Sequence, residues 1–230
     1  MQIVKAKYIL SRVVYVLAPS NCLRCGNQGG DLCVSCQSFA IISKVPSCFR
    51  CNALSANFTT CNKCRQHTPI RRAYIASHYD GVIKDLITRL KYHNAVDNAR
   101  IIGGLMSENV VDRYDAVVPV PTSAKRYRQR GYNPSLEIAR SVSEIIESSC
   151  IDGLVRFGNT RQVGADRQQR LSQLEGMIGL KSSSRANKFK GAKILLVDDV
   201  LTTGATLNEC AKTLKEASAK SIDAVVLAKH

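Results

Sequence analysis

The stretch Ile194-Leu-Leu-Val-Asp-Asp-Val-Leu-Thr-Thr-Gly-Ala-Thr206 carries the fold. Its apolar opening, led in by Lys193, lacks the polar alternation of a half-exposed strand and predicts one buried on both faces. Behind it, Leu207, Cys210, Ala211 and Leu214 recur at helical spacing, and Ala224-Val-Val-Leu-Ala predicts a further strand. Working back along the chain, Ile83, Leu86, Ile87 and Leu90 form one amphipathic stripe, and Ile101, Ile102, Leu105, Met106 and Val110 a second. Asp115-Ala-Val-Val-Pro-Val-Pro121 predicts a short buried strand, followed by a loop from Thr122 to Gly131. Asn133 and Pro134 make an N-cap and first-turn pair for a helix carrying Leu136, Ala139, Val142 and Ile146. Strands alternating with helices imply an α/β fold, a mostly parallel sheet flanked by helices. The basic, polar tract from Arg156 to Lys190 supports no assignment.

At 230 residues, with 45% apolar and 22% charged residues, the chain excludes disorder and collagen-like repetition. The apolar stretch from Tyr8 to Ala18 is broken by Ser11 and Arg12, too short for a spanning helix and lacking a cleavage site after it. The expectation is a cytoplasmic protein without a membrane span. Net charge is +15, which favours a polyanionic partner. Residues 121–193 hold 14 basic and six acidic residues, a large part of the excess.

Eight of the ten cysteines form four Cys-x-x-Cys pairs: Cys22/Cys25, Cys33/Cys36, Cys48/Cys51 and Cys61/Cys64, separated by seven, eleven and nine residues. Two such knuckles complete a tetrahedral zinc site, so four predict two structural Zn²⁺ ions. A disulfide framework would need an oxidising compartment, to which nothing directs the chain. Consecutive knuckles give two ribbons in series and interleaved ones a cross-brace; the two similar halves of the pattern favour the series. His67 reads as a surface residue. Thr68 to Tyr74, with Pro69, Arg71 and Arg72, marks a boundary, giving two domains: residues 1–70, an N-terminal helix and double zinc ribbon, and residues 71–230. Because a small zinc module draws its folding energy from the metal, Cys25→Ser is expected to unfold the ribbon and spare the larger domain.

In an open α/β sheet, ligands bind beyond the carboxyl ends of the strands. Asp198 and Asp199 stand there, before a loop with Thr202, Thr203 and Thr206 around Gly204 that enters a helix. Paired carboxylates suit adjacent ribose hydroxyls, and a helix start with a close-approaching glycine suits a phosphate. A ribose 5-phosphate satisfies both. The stretch resembles the 5-phosphoribosyl pyrophosphate (PRPP) motif of type I phosphoribosyltransferases. That resemblance implies that Asp198 and Asp199 hold the ribose hydroxyls and serve catalysis. It further implies that Thr202, Thr203, Gly204, Ala205 and Thr206 hold the 5-phosphate, and that Ser123, Ala124, Lys125 and Arg126 take the pyrophosphate, with Mg²⁺ bridging. A cationic, oxocarbenium-like state at the anomeric carbon would be favoured by the carboxylates and by a neutralised leaving group.

Cysteine knuckles, Lys91-Tyr, Pro-Val-Pro followed by Arg128-Gln-Arg-Gly-Tyr-Asn133, and Thr160-Arg-Gln-Val-Gly with Arg167 and Arg170 together resemble the ComF/GntX family, with departures at Pro134, Ser172 and Met177. Its best-known members act in natural transformation, which implies a protein handling incoming single-stranded DNA alongside DNA-uptake or recombination proteins. Arg128, Arg130, Arg161, Arg167 and Arg170 are the candidate backbone contacts, with Tyr127 and Tyr132 as stacking platforms. Two alternatives stay open: a metabolic phosphoribosyltransferase acting on a small acceptor, and a non-catalytic PRPP sensor.

Overall fold

The computed structural model describes residues 20–28, 30–40, 46–92, 96–157 and 176–229. The N-terminal helix expected before residue 20 lies outside them, as do Arg161, Arg167 and Arg170. Strands β1 (Ile70–His78), β2 (Ala116–Pro119), β3 (Ser149–Cys150), β6 (Lys193–Leu201) and β7 (Ser221–Lys229) form one sheet in the order β1-β7-β6-β2-β3, with every pairing parallel. Strands β4 (Leu154–Arg156), which runs up to the tract that sequence left unassigned, and β5 (Ile178–Leu180), within it, pair antiparallel as a separate ribbon. In β6, Ile194 to Val197 are fully buried, as expected of a strand covered on both faces. The strand does not stop before the acids. Asp198 pairs with Val226 and Leu201 with Lys229, because β7 is equally long and carries the ladder through them.

Helices α1 (Val34–Gln37) and α2 (Asn62–Arg65) belong to the cysteine segment. The sheet's helices are α3 (Gly81–Tyr92), α4 (Asn98–Ser107), α5 (Ala124–Arg130), α6 (Pro134–Ile145) and α7 (Ala205–Glu216). One buried cluster joins Ile83, Leu86, Ile87 and Leu90 of α3, Ile102 and Leu105 of α4, and Ile138 and Val142 of α6 to Leu195, Val197, Val225 and Leu227. The other joins Leu207, Cys210 and Leu214 of α7 to Ile194, Leu196, Ala224 and Val226. Helices thus cover both faces, which is the condition for an all-parallel sheet. Helices α4 and α6 approach so closely that a Cβ on Gly103 would lie 2.4 Å from Ser141 Oγ.

One expectation is corrected. The Thr122–Gly131 loop is mostly helix α5, started by Ser123, whose Oγ accepts from the Arg126 amide, and closed by Gly131 at φ 82°. Within the Thr68–Tyr74 passage, β1 begins at Ile70. Its arginines are strand residues. Arg71 donates to both oxygens of fully buried Asp223 (3.0 and 2.6 Å), which also accepts from Tyr114 OH (2.7 Å), while Arg71 and Arg72 both reach Asp112.

The cysteine segment is built into this frame. Cys22, Leu32, Cys36 and Ala40 join the α3 cluster, while Phe49 joins the α7 cluster. Arg89 of α3 donates to buried Asp31 at 2.8 Å, and Ser77 Oγ of β1 to Ala40 O at 2.9 Å. Thr59 bridges antiparallel to Arg72, and Thr60 donates through its amide to Arg71 O and through Oγ1 to Ile70 O. The free edge of β1 is thereby covered at its start.

Candidate functional site

β2 ends at Pro119, paired with Val197 of β6, and the Val120 amide donates to Val197 O at 2.9 Å, while β6 runs on through Asp198 and Asp199 to Leu201. The segment leading to Ser123, Ala124, Lys125 and Arg126 therefore runs next to Asp198. Lys125 is exposed and Arg126 half-buried. From Leu201 the chain bends through Thr202 and Thr203 to Gly204, whose φ of 76° turns it into α7. A side chain is disfavoured there by conformation. Thr203 Oγ1 accepts from the Ala205 amide at 3.3 Å. The early amides of α7 and the loop hydroxyls thus stand just beyond the two carboxylates.

Asp199 is buried and forms an ion pair with Lys91 Nζ at 2.7 Å. Asp198 Oδ1 accepts from Ser135 Oγ at 2.9 Å and from the Asp199 amide at 3.0 Å. Burial, with the charge of Asp199 beside it, pushes the Asp198 carboxyl up to about 7, against the pull of Lys91 and of the Ser135 hydroxyl. Lys91 and Ser135 are site residues that sequence reasoning did not assign. The signal for Lys91 was its place just after Leu90, the last position of a buried stripe, where a side chain one position on flanks the sheet.

Tyr92, next to Lys91, carries the Arg130 guanidinium over its ring at 4.9 Å. Tyr127 is 51% exposed, as a stacking platform requires. Tyr132 is not free to serve as one, because it packs against the α3 cluster and its hydroxyl donates to Leu90 O. Asn133 occupies the N-cap position of α6 without capping it; its Nδ2 donates instead to Val120 O at 3.0 Å, tying the helix to the segment after β2. Arg128 is exposed on α5.

The cysteines gather as Cys22, Cys25, Cys33 and Cys36, and as Cys48, Cys51, Cys61 and Cys64, with all sulfurs of a group within 4.8 Å of one another. The pairing is consecutive. The halves repeat bond for bond: Cys22 N to Asn27 O matches Cys48 N to Ala53 O, and Gly26 N to Cys22 O matches Asn52 N to Cys48 O. Cys25 and Cys33 sulfurs are 3.7 Å apart and those of Cys51 and Cys61 3.6 Å. A tetrahedron with Zn–S of about 2.3 Å has an edge of about 3.8 Å, so the donor set fits the ion. Burial raises the Cys22 thiol, but amides of Cys33, Cys25 and Arg24 outweigh it and bring it to about 6; Cys48 is lowered likewise to about 6. Burial and the neighbouring thiols push Cys36 and Cys64 up to about 12. Four crowded sulfurs resist full ionisation unless a dication neutralises them. His67 is exposed and outside both groups.

Among the described residues, no helix is long and apolar enough to cross a membrane. The phosphoribosyl transferase domain family matches residues 130–230. Competence protein F of Haemophilus influenzae is 30% identical over 224 residues, covering 90% of this chain and 96% of that one. Competence protein ComFC of Streptococcus pneumoniae is 29% identical, over 90% of this chain and 91% of its own. DNA utilization protein YhgH of Escherichia coli is 25% identical, over 88% and 86%. Likeness that runs almost end to end, at 30% identity, means that the chain belongs to the ComF family of competence proteins.

Proposed function

We propose that this protein binds PRPP with Mg²⁺ at the ends of β6 and β2 and acts on single-stranded DNA in the cytoplasm during natural transformation. One observation supports the PRPP reading: β6 carries the two carboxylates just past the end of β2 and on into the Gly204 turn of α7, while β2 leads into the Ser123–Arg126 segment. Asp198 and Asp199 accept from the ribose hydroxyls, and Thr202 to Thr206 take the 5-phosphate through amides and hydroxyls. Ser123, Ala124, Lys125 and Arg126 face the pyrophosphate. Mg²⁺, when bound with PRPP, neutralises pyrophosphate charge and so eases its departure from the anomeric carbon. The DNA reading rests on the competence and DNA-utilization relatives and on the cationic helix α5, with DNA-uptake or recombination proteins as partners.

Calorimetry with PRPP and Mg²⁺ tests the site. The wild type binds, and Asp198→Ala with Asp199→Ala does not, since each hydrogen bond to a charged group is worth about 1.5–3 kcal/mol. Equal affinity in the two proteins would overturn the assignment.

A further inference from the structure

The knuckle Cys48–Cys51 lies against the proposed phosphate loop. Cys48 is fully buried and Phe49 is 4% exposed, packed in the cluster that holds Leu201 and Leu207. A Cβ built on Gly204 would lie 3.4 Å from Phe49 Cε2 and 3.4 Å from Leu201 Cδ1, so the ring faces, across about the width of a methyl group, the glycine that turns the chain into α7. The knuckle backbone is clamped from the other side. Lys229 Nζ donates to Phe49 O at 2.9 Å and also to Asn52 Oδ1. Lys229 is the register partner of Leu201, the residue just before Thr202. The knuckle thus touches both strands whose ends frame the loop, and faces the loop itself.

The shape of that knuckle depends on its metal. Asn52, at φ 61°, donates back to Cys48 O, a tight turn of the kind that four thiolates on one ion hold and that small modules lose without it. We propose that Phe49 is a positioning residue for PRPP, and that zinc in the Cys48–Cys64 group and PRPP on the adjoining loop bind cooperatively. This rests on the PRPP reading above. Zinc sets the knuckle, the knuckle sets Phe49, and Phe49 holds Gly204 where the loop amides converge. Linkage makes the effect reciprocal: a phosphate that fixes the loop also fixes the ring and retards loss of the ion.

Two measurements on the full chain test it, with zinc content checked by elemental analysis. In calorimetry with PRPP and Mg²⁺, Phe49→Ala is expected to weaken binding about tenfold while keeping two zinc ions per chain, within the usual range of coupling between sites. Phe49→Leu keeps apolar fill in case the alanine variant fails to fold, and is expected to fall between the two. In zinc release to a chromophoric chelator with negligible Mg²⁺ affinity, PRPP slows one kinetic phase of the wild type and has no effect on that phase in the variants. Wild-type binding with unchanged affinity in Phe49→Leu and Phe49→Ala, or zinc release indifferent to bound PRPP, overturns the coupling alone. No binding of PRPP by the wild type overturns the site assignment and this inference with it.

Discussion

Asp198 and Asp199 are neighbours in sequence that keep different company. Asp199 has the Lys91 ammonium at 2.7 Å, whereas the donors to Asp198 are uncharged, the Ser135 hydroxyl and a backbone amide. Burial and the charge of Asp199 raise the Asp198 carboxyl from the ordinary 3.8 to about 7. Between those values the folded state binds more protons than the unfolded one, so this group makes stability fall as pH rises from about 4 to about 7. Asp198→Asn removes the titration. Melting temperatures measured from pH 5 to 8 are expected to decline toward neutrality more in the wild type than in Asp198→Asn; parallel curves would refute that shift. Why the sequence reveals the pair and not its setting is plain at this scale. The acids sit in one local motif, while Lys91, Ser135 and Phe49 reach it from elements far away along the chain.

Helix α5 packs Lys125, Arg126, Arg128 and Arg130 into seven residues without an acid. If its arginines follow a nucleic-acid backbone, binding of single-stranded DNA falls with salt at about −0.7 per phosphate neutralised on logarithmic axes. Replacing Arg128 and Arg130 together is expected to flatten that slope by about one unit or more, with sequence preference staying weak. A slope that stays put while PRPP affinity drops would assign the pair to pyrophosphate instead. The helix shows what patterning leaves illegible: Ala-Lys-Arg-Tyr-Arg-Gln-Arg has no apolar stripe, since none of its residues is buried, and the polar run reads as a loop. Strands β6 and β7 were legible because burial on both faces makes them continuous apolar runs. β1 was not. It is an edge strand whose first turns carry Arg71 and Arg72, and their partners Asp112 and Asp223 are distant in sequence.

Across the whole molecule, the ribbons share buried clusters with the larger segment. Cys22 and Cys36 belong to the buried cluster of α3, and Phe49 to that of α7. The expectation that ribbon damage stays local therefore gives way to one of shared fate. Stripping zinc with a chelator is expected to lower the midpoint of a single unfolding transition, followed by circular dichroism, by about 10 °C or more, since about 2–4 °C accompanies each kcal/mol in chains of this size. A separate early melt of the ribbons, leaving the main transition unmoved, would refute this. The sheet order carries one more consequence, for the chain as it is made. Among the described residues, β1 has β7 as its one strand neighbour, and the Arg71–Asp223 pair that joins them spans 152 residues. During synthesis β1 emerges early, with Thr59 and Thr60 shielding one side and its other edge bare until β7 arrives. Such late, long-range closure makes folding slow and leaves a sticky strand exposed on the ribosome, a window in which a holding chaperone has something to hold.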